Sequence, residues 1–434
     1  MAAKPLTYVD LRNAVAGDAM AFRAVTDLDP AGGEGDKLFP PTYQGGVYAR
    51  EKRIINGQPV PCVLLDSVQS QANRLELALL DWHRSADSAR KPFPLVQIDF
   101  AKTVASEVGL FTVLEAPHRI ADGLFLACEI EETNDGKSSP KRFRHPGDAS
   151  QGSQIGRLVD QSSSANATGI FGLCPTALLF GMWDSHGARG GLGEKFQRAL
   201  VSEIIGIGAT ANEDNRRPSS RVDSLLVVAG ESLPIKENPD RTWSPVDKGP
   251  GSSRLSNVGL GNVTPSLKVP PNKRKDYESE YNHGGVTVQF ARQITVLSLP
   301  ALRRLRFPIA AASAEEQAKA NIEARTTLAA LGFAAVARQW SAGFSLRSRC
   351  DLVPRNGLVF DLLTAGHSHP FTLSVGEASK LVYDATDAAL QCGLPWRTGN
   401  GEPPWKNGCL NLTPSKELAE AVAKSRKLAA ETRE

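Results

Sequence analysis

The residues best suited to chemistry lie in one short string, Asp66-Ser67-Val68-Gln69-Ser70-Gln71-Ala72-Asn73-Arg74-Leu75-Glu76. Val68, Ala72, Leu75 and Leu79 recur at helical spacing and mark a buried face. Ser67, Ser70 and Arg74, flanked by Gln71, then share another face. Hydroxyl, amide and guanidinium groups at a helix N-terminus suit phosphate, because free backbone N–H groups, the helix dipole and the arginine all favour an anion. Asp66 opposes this locally unless capping bonds occupy it, and Gln69 stands at capping-box distance from it. An ordinary capped helix with a polar outer face would show the same pattern.

Other cationic groups could meet the same kind of ligand. Lys141, Arg142 and Arg144 surround Phe143, a mix that suits a single strand because charge tracks phosphate and a ring stacks on a base. Arg254, Lys273, Arg274 and Lys275 lie among Val258, Leu260 and Val263, so cations and apolar wedges occur together. Arg216, Arg217 and Arg221 precede an apolar run and either contact phosphate or cap a sheet edge. Arg303, Arg304 and Arg306 read as a helix end, with salt bridges or a subunit contact. Solvated or disordered loops would account for the first two groups equally well.

Enzyme signatures are thin. His367 and His369 could ligate a metal from one strand face but have no acidic or cysteine neighbour, and a turn before Pro370 is the simpler expectation. Asp184, Ser185 and His186 are adjacent rather than set in a nucleophile elbow, and no Gly-x-Ser-x-Gly occurs. No Walker A loop or strand-linked Gly-x-Gly-x-x-Gly is present, so no cofactor is expected.

The elements that must position these groups are a mixture. Strands are expected over 60–65, 95–100, 123–130, 222–229 and 285–299, with shorter ones over 344–363. Helices are expected over 67–80, 192–205, 314–340 and 375–390, and the apolar run 170–183 should be buried. Residues 132–157 and 231–283 read as long loops, the latter marked by seven prolines. The tail from 415 reads as a charged, Ala-rich helix or a disordered end. With no clean βαβ repetition, an α+β fold with an antiparallel sheet is expected.

Composition places few limits on this picture. Hydrophobic residues make up 41% and charged residues 22% of 434, which excludes a mostly disordered chain. The net charge of +3 is unevenly spread: 137–157 carries +4 and 241–306 carries +7, leaving −8 elsewhere. Positive charge so gathered attracts a polyanion to chosen surfaces. The cysteines are scattered with no Cys-x-x-Cys, the N-terminal residues hold no apolar run of signal-peptide length, and no uninterrupted apolar stretch is long enough to span a bilayer. A cytoplasmic location with reduced thiols is the expectation.

The string 66–76 resembles the signature of the crRNA-binding backbone subunit of subtype I-G (formerly I-U) CRISPR effector complexes, the Cas seven family of the repeat-associated mysterious protein superfamily. Further stretches are similar: Pro117-His118-Arg119-Ile120-Ala121-Asp122, then 181–187 with 191–204, and 284–287 with 298–305. The resemblance covers about 43 to 306. It implies an RRM-like (ferredoxin-like) palm over 1–240 and 284–400, a basic finger-type loop near 132–157, a thumb-like insertion at 241–283 and a tail or helix over 401–434. It also implies head-to-tail stacking along a guide RNA, gripped at Ser67, Ser70, Gln71, Asn73 and Arg74, with His118 and Arg119 nearby. Such a subunit is a non-catalytic scaffold whose partners are crRNA, target DNA through the guide, further copies of itself, other effector subunits and a helicase-nuclease. The alternative is a metal-dependent ribonuclease cutting target RNA, as related type III subunits do; Asp247 and Asp276 lie in the thumb-like segment. An unrelated hydrolase finds no supporting constellation.

Overall fold

Along 290–298 every second residue is buried: Ala291, Gln293, Thr295 and Leu297 point one way, while Phe290, Arg292, Ile294, Val296 and Ser298 are half-exposed on the other face. Residues 21–30 repeat the pattern with Phe22, Ala24, Thr26 and Leu28. Two neighbouring strands with this period define a sheet with one face turned to a core. The computed structural model describes residues 3–44, 46–87, 89–134, 137–145, 147–148, 150–184, 195–210, 234–238, 242–254, 258, 284–397 and 405–431.

In chain order the first part forms β1 (Lys4–Pro5), α1 (Tyr8–Ala16), β2 (Ala21–Pro30), β3 (Arg50–Ile55), β4 (Gln58–Asp66) and α2 (Val68–Ser85). Next come β5 (Leu95–Asp99), β6 (Leu110–Thr112), α3 (Gly123–Leu126), β7 (Cys128–Asn134), β8 (Lys137–Arg142) and α4 (Gln154–Asp160). Then follow α5 (Thr168–Leu173), α6 (Pro175–Phe180), β9 (Met182–Trp183), β10 (Lys195–Phe196) and β11 (Leu200–Ile207). A small sheet holds β12 (Pro234–Glu237), β13 (Trp243–Pro245) and β14 (Ser253–Arg254). The remainder comprises β15 (Phe290–Ser298), α7 (Leu299–Arg303), α8 (Ala314–Ala342), β16 (Phe344–Arg347), β17 (Cys350–Pro354), β18 (Val359–Thr364), β19 (His367–Thr372), α9 (Val375–Gln391), β20 (Trp405–Lys406), β21 (Cys409–Pro414) and α10 (Lys416–Glu431).

The large sheet runs β1-β19-β18-β2-β15-β11-β4-β3, with β16 and β17 joined through β2. All its ladders are antiparallel except the short β1–β19 pair. The fold is therefore mixed α+β around an antiparallel sheet. α8 is buried over most of its second half, as a helix apolar on nearly every side must be. Its alanines at 324, 329, 330, 334, 335 and 337 admit close neighbours. Capping boxes at Thr7/Asp10, Ser313/Glu316 and Ser374/Glu377 fix where α1, α8 and α9 begin.

A second sheet, β6-β5-β21-β7-β8 with β20 paired to β21, packs into the same core. β21 lies between β5, to which it is parallel, and β7. Residues 405–431 are thus more than a tail: β21 is an interior strand and α10 follows it.

Several expectations are corrected. Residues 132–157 are no featureless loop: β7 and β8 form a hairpin in register from Glu129↔Arg142 to Asn134↔Lys137, and α4 follows. Of the helix expected over 192–205, the described part holds β10 and most of β11, which is paired between β15 and β4. The strand expected over 123–130 divides into α3 and β7. His367 and His369 lie in β19, not in a turn, and both are exposed. The segment 231–283 contains the small sheet, and the strand expected over 222–229 lies outside the described residues.

Candidate nucleic-acid interface

Asp66, at the end of β4, is completely buried. A carboxylate removed from water must be met by donors, and four side chains meet it. Ser70 Oγ donates at 2.7 Å, Gln71 Nε2 at 2.6 Å, Arg74 Nε at 2.9 Å and Arg347 Nη2 at 3.5 Å. Ser67 rather than Asp66 caps α2, accepting from Ser70 N at 3.3 Å. The anion expected at this helix start is therefore supplied by the chain itself.

This revises the reading of the 66–76 string. Gln71 is fully buried, and its Oε1 accepts from Ser202, Gln293 and Gln339. Arg74 also donates to the carbonyls of Ser345 and Leu346, tying α2 to β16. Ser70 and Arg74 are thus engaged by Asp66, and Gln71 has no surface to offer. Asn73 is exposed and Ser67 half-exposed.

Immediately beyond the first turn of α2 opens a groove of about 1090 Å3. Its walls are Val68 and Gln69 of α2, the turn 117–119, the segment 180–183, residues 195–198 and Val201 of β11. A buried ion pair holds the walls together. Arg119 lies in left-handed backbone (φ 54°) and donates at 2.7 Å from both Nε and Nη2 to Glu76 of α2. Its Nη1 donates at 2.8 Å to the carbonyl of Gly181. Burial pushes the Glu76 carboxyl up, and the Arg119 guanidinium opposes that shift. Gly181, at φ 86°, lets the chain turn where a Cβ would meet Arg198 Cγ at 3.0 Å and Phe196 O at 3.1 Å. Arg119 is a brace for the groove, not a surface contact as expected.

The groove offers a ring and several cations. β9 and β10 pair Trp183 with Lys195, and Lys195 Nζ sits 5.1 Å from the indole centroid. Trp183 is 47% exposed. His118, Lys195 and Arg198 are exposed along the rim. An apolar ring beside mobile cations can stack on a base while the charges follow phosphate. Sequence reasoning found His118 but missed Trp183, Lys195 and Arg198; the lone Trp beside a Gly-rich stretch was the available signal.

The remaining expected contacts scatter. Arg144 is fully buried, bonded to Asp160, Asp184 and the Ile120 carbonyl. It is a core brace, and its assignment to a basic surface loop is corrected. Lys141 lies 3.7 Å from Glu132, while Arg142 is exposed at the end of β8. Arg254 sits in β14, opposite Pro234. Asp247 is exposed between β13 and β14. Arg216, Arg217, Arg221, Lys273, Arg274, Lys275 and Asp276 lie outside the described residues. Among the described residues no group of three His, Cys, Asp or Glu is placed to hold a metal, and no helix is long and apolar enough to cross a membrane.

Comparison with known proteins adds one substantial match. Residues 22–211 match the family model described as CRISPR-associated protein GSU0053. No curated protein matches. A solved structure, Csc2 of Thermofilum pendens, aligns over 90% of this chain and 82% of its own at 10% identity, with a TM-score of 0.27, too low to carry any argument. The matched stretch contains α2, Asp66 with its donors Ser70, Gln71 and Arg74, and every wall of the groove, and over it the chain is similar to the CRISPR-associated GSU0053 family.

Proposed function

We propose that this chain is a non-catalytic backbone subunit of a type I CRISPR surveillance complex that binds guide crRNA along its phosphate backbone. The observation that carries the reading is the groove at the start of α2, where Trp183, Lys195, Arg198 and His118 converge inside the family-matched segment. In this reading the antiparallel sheet and its helices serve as an RRM-like palm, and 241–283 as a thumb. Copies stack head to tail along the guide and leave its bases free to pair with target DNA. The protein grips backbone and shape, and base pairing supplies sequence. Of the contacts expected from sequence, the proposal keeps Ser67, Asn73, His118 and Arg142, together with the basic residues of 216–221 and 273–275. It adds Trp183, Lys195 and Arg198.

The test is RNA retention by full-length chain co-expressed with a repeat array. Trp183→Ala combined with Arg198→Ala should lower affinity for single-stranded RNA at least tenfold, since one base–aromatic stack is worth about 1–3 kcal/mol. Both side chains are exposed, so the melting temperature should not move. Wild-type RNA content in the purified variant would overturn the assignment of the groove.

A further inference from the structure

Most arginines in this fold are matched by acids. Arg12 pairs with Glu323, Arg53 with Glu203, Arg292 with Asp27 and Arg355 with Asp29. Among the described residues, a group of arginines around the end of α7 is not matched in this way. Arg303, Arg304 and Arg306, around the end of α7, and Arg325 of α8 have no carboxylate within ion-pair distance among the described residues. Arg303 donates to the carbonyls of Ala14, Val15 and Ala19, at the C-terminal end of α1. Arg325 is buried, and both Nε and Nη2 donate to the Leu305 carbonyl. Burial and the neighbouring Arg306 and Arg303 push the Arg325 guanidinium down to about 10. Arg303 and Arg306 thus gather positive charge beside Arg325, with no carboxylate paired to any of the three among the described residues.

The cluster is continuous with the groove. Arg304 Nη1 donates at 2.6 Å to Gln197 Oε1, and Gln197 and Arg198 are groove walls. Arg304 and Arg306 are exposed. The backbone of Arg306 bonds Ser164 and Ala167, at the uncharged segment 161–167. The salt bridges expected at 303–306 do not form among the described residues, so these cations have no carboxylate paired to them there.

We propose that this arginine cluster is a second phosphate-binding surface, which takes the backbone of the same RNA strand as it leaves the groove past Arg198. The inference rests on the groove reading above and extends the bound strand beyond the family-matched segment. Arg304 and Arg306 make the outward contacts, while Arg303 and Arg325 raise the potential from below. An RNA strand is favoured over an acidic protein surface because the cluster adjoins a ring-and-cation groove shaped for a base.

Full-length protein is titrated with oligouridylates of about five and about fifteen nucleotides across a salt series. In Arg304→Ala/Arg306→Ala the slope of log affinity against log salt for the longer strand should fall by about 1.4, roughly 0.7 per lost phosphate contact. Binding of the short strand should stay at the wild-type value. An unchanged slope for the longer strand, with the short strand still sensitive to Trp183→Ala, would overturn this inference and leave the groove standing. An unchanged slope accompanied by lost association with a protein partner would give the cluster to a protein contact and equally overturn it. Failure of wild-type protein to bind either strand would overturn the groove reading and this one with it.

Discussion

A carboxylate taken out of water collects whatever donors lie nearby, and at Asp66 that need outranks the helix's attraction for an outside anion. The polar stripe of α2 was legible in the sequence; its direction was not. Ser70, Gln71 and Arg74 could face solvent or Asp66 with equal regularity of spacing, and only packing against β16 and β11 decides. Arg119 and Arg144 were likewise legible as cations but not as buried braces, because Glu76, Asp160 and Asp184 lie far from them in sequence. His83 gives a prediction at this scale. Burial, with Lys91 close by, holds its imidazole at about 4. Between its ordinary value near 6.5 and that figure, the unfolded chain binds a proton the folded chain refuses. Stability is therefore intact above about pH 6.5 and falls toward pH 4 by up to about 3 kcal/mol. His83→Gln should flatten this part of the urea-midpoint profile; parallel wild-type and variant profiles would refute it.

Elements were readable where a cap and a long period agreed. α8 and α9 begin at the Ser-x-x-Glu pairs that the sequence displays, and β5 sits where its apolar run predicts. β11 is hard to read from sequence because Ile204–Ile207 is buried on both faces, and such a run carries neither a helical nor a strand period. The hairpin of β7 and β8 was hidden by its Ser, Pro and Lys content, which resembles a loop until pairing supplies the partners. One tight approach follows that hairpin: a Cβ on Gly156 would stand 1.6 Å from the Phe143 carbonyl oxygen. Gly156→Ala must displace α4, loosening Asp160 from Arg144, and should cost about 3 kcal/mol. Denaturant unfolding measures this, and a loss under about 0.5 kcal/mol would show that α4 can shift freely.

At the scale of the whole molecule, the α+β class and the antiparallel sheet were foreseeable, whereas a second sheet closed by β21 was not. Parallel pairing between β21 and β5 leaves no local trace, since hairpin signals do not exist for strands so far apart. The two strands meet through Gln97 and Asn411, whose side chains bond at 2.7 Å across 314 positions. Removing residues from 405 onward should strip β5 and β7 of their shared neighbour and expose the apolar faces around Val96, Ile98 and Ile130. The truncated chain should bind a hydrophobic dye and lose near-ultraviolet dichroism. A truncated protein with the native spectrum and no dye uptake would mean that β21 is dispensable.

That pairing also sets a timetable for the nascent chain. At bacterial-type elongation rates of about 5–20 residues per second, β5 leaves the ribosome roughly 15–60 seconds before the strand that must lie beside it. During that interval the emerging β5–β8 region carries an unfilled slot between two strands. Translational pauses or a chaperone that shields this slot should govern the yield of soluble protein, and slowing synthesis downstream of residue 142 should lower that yield.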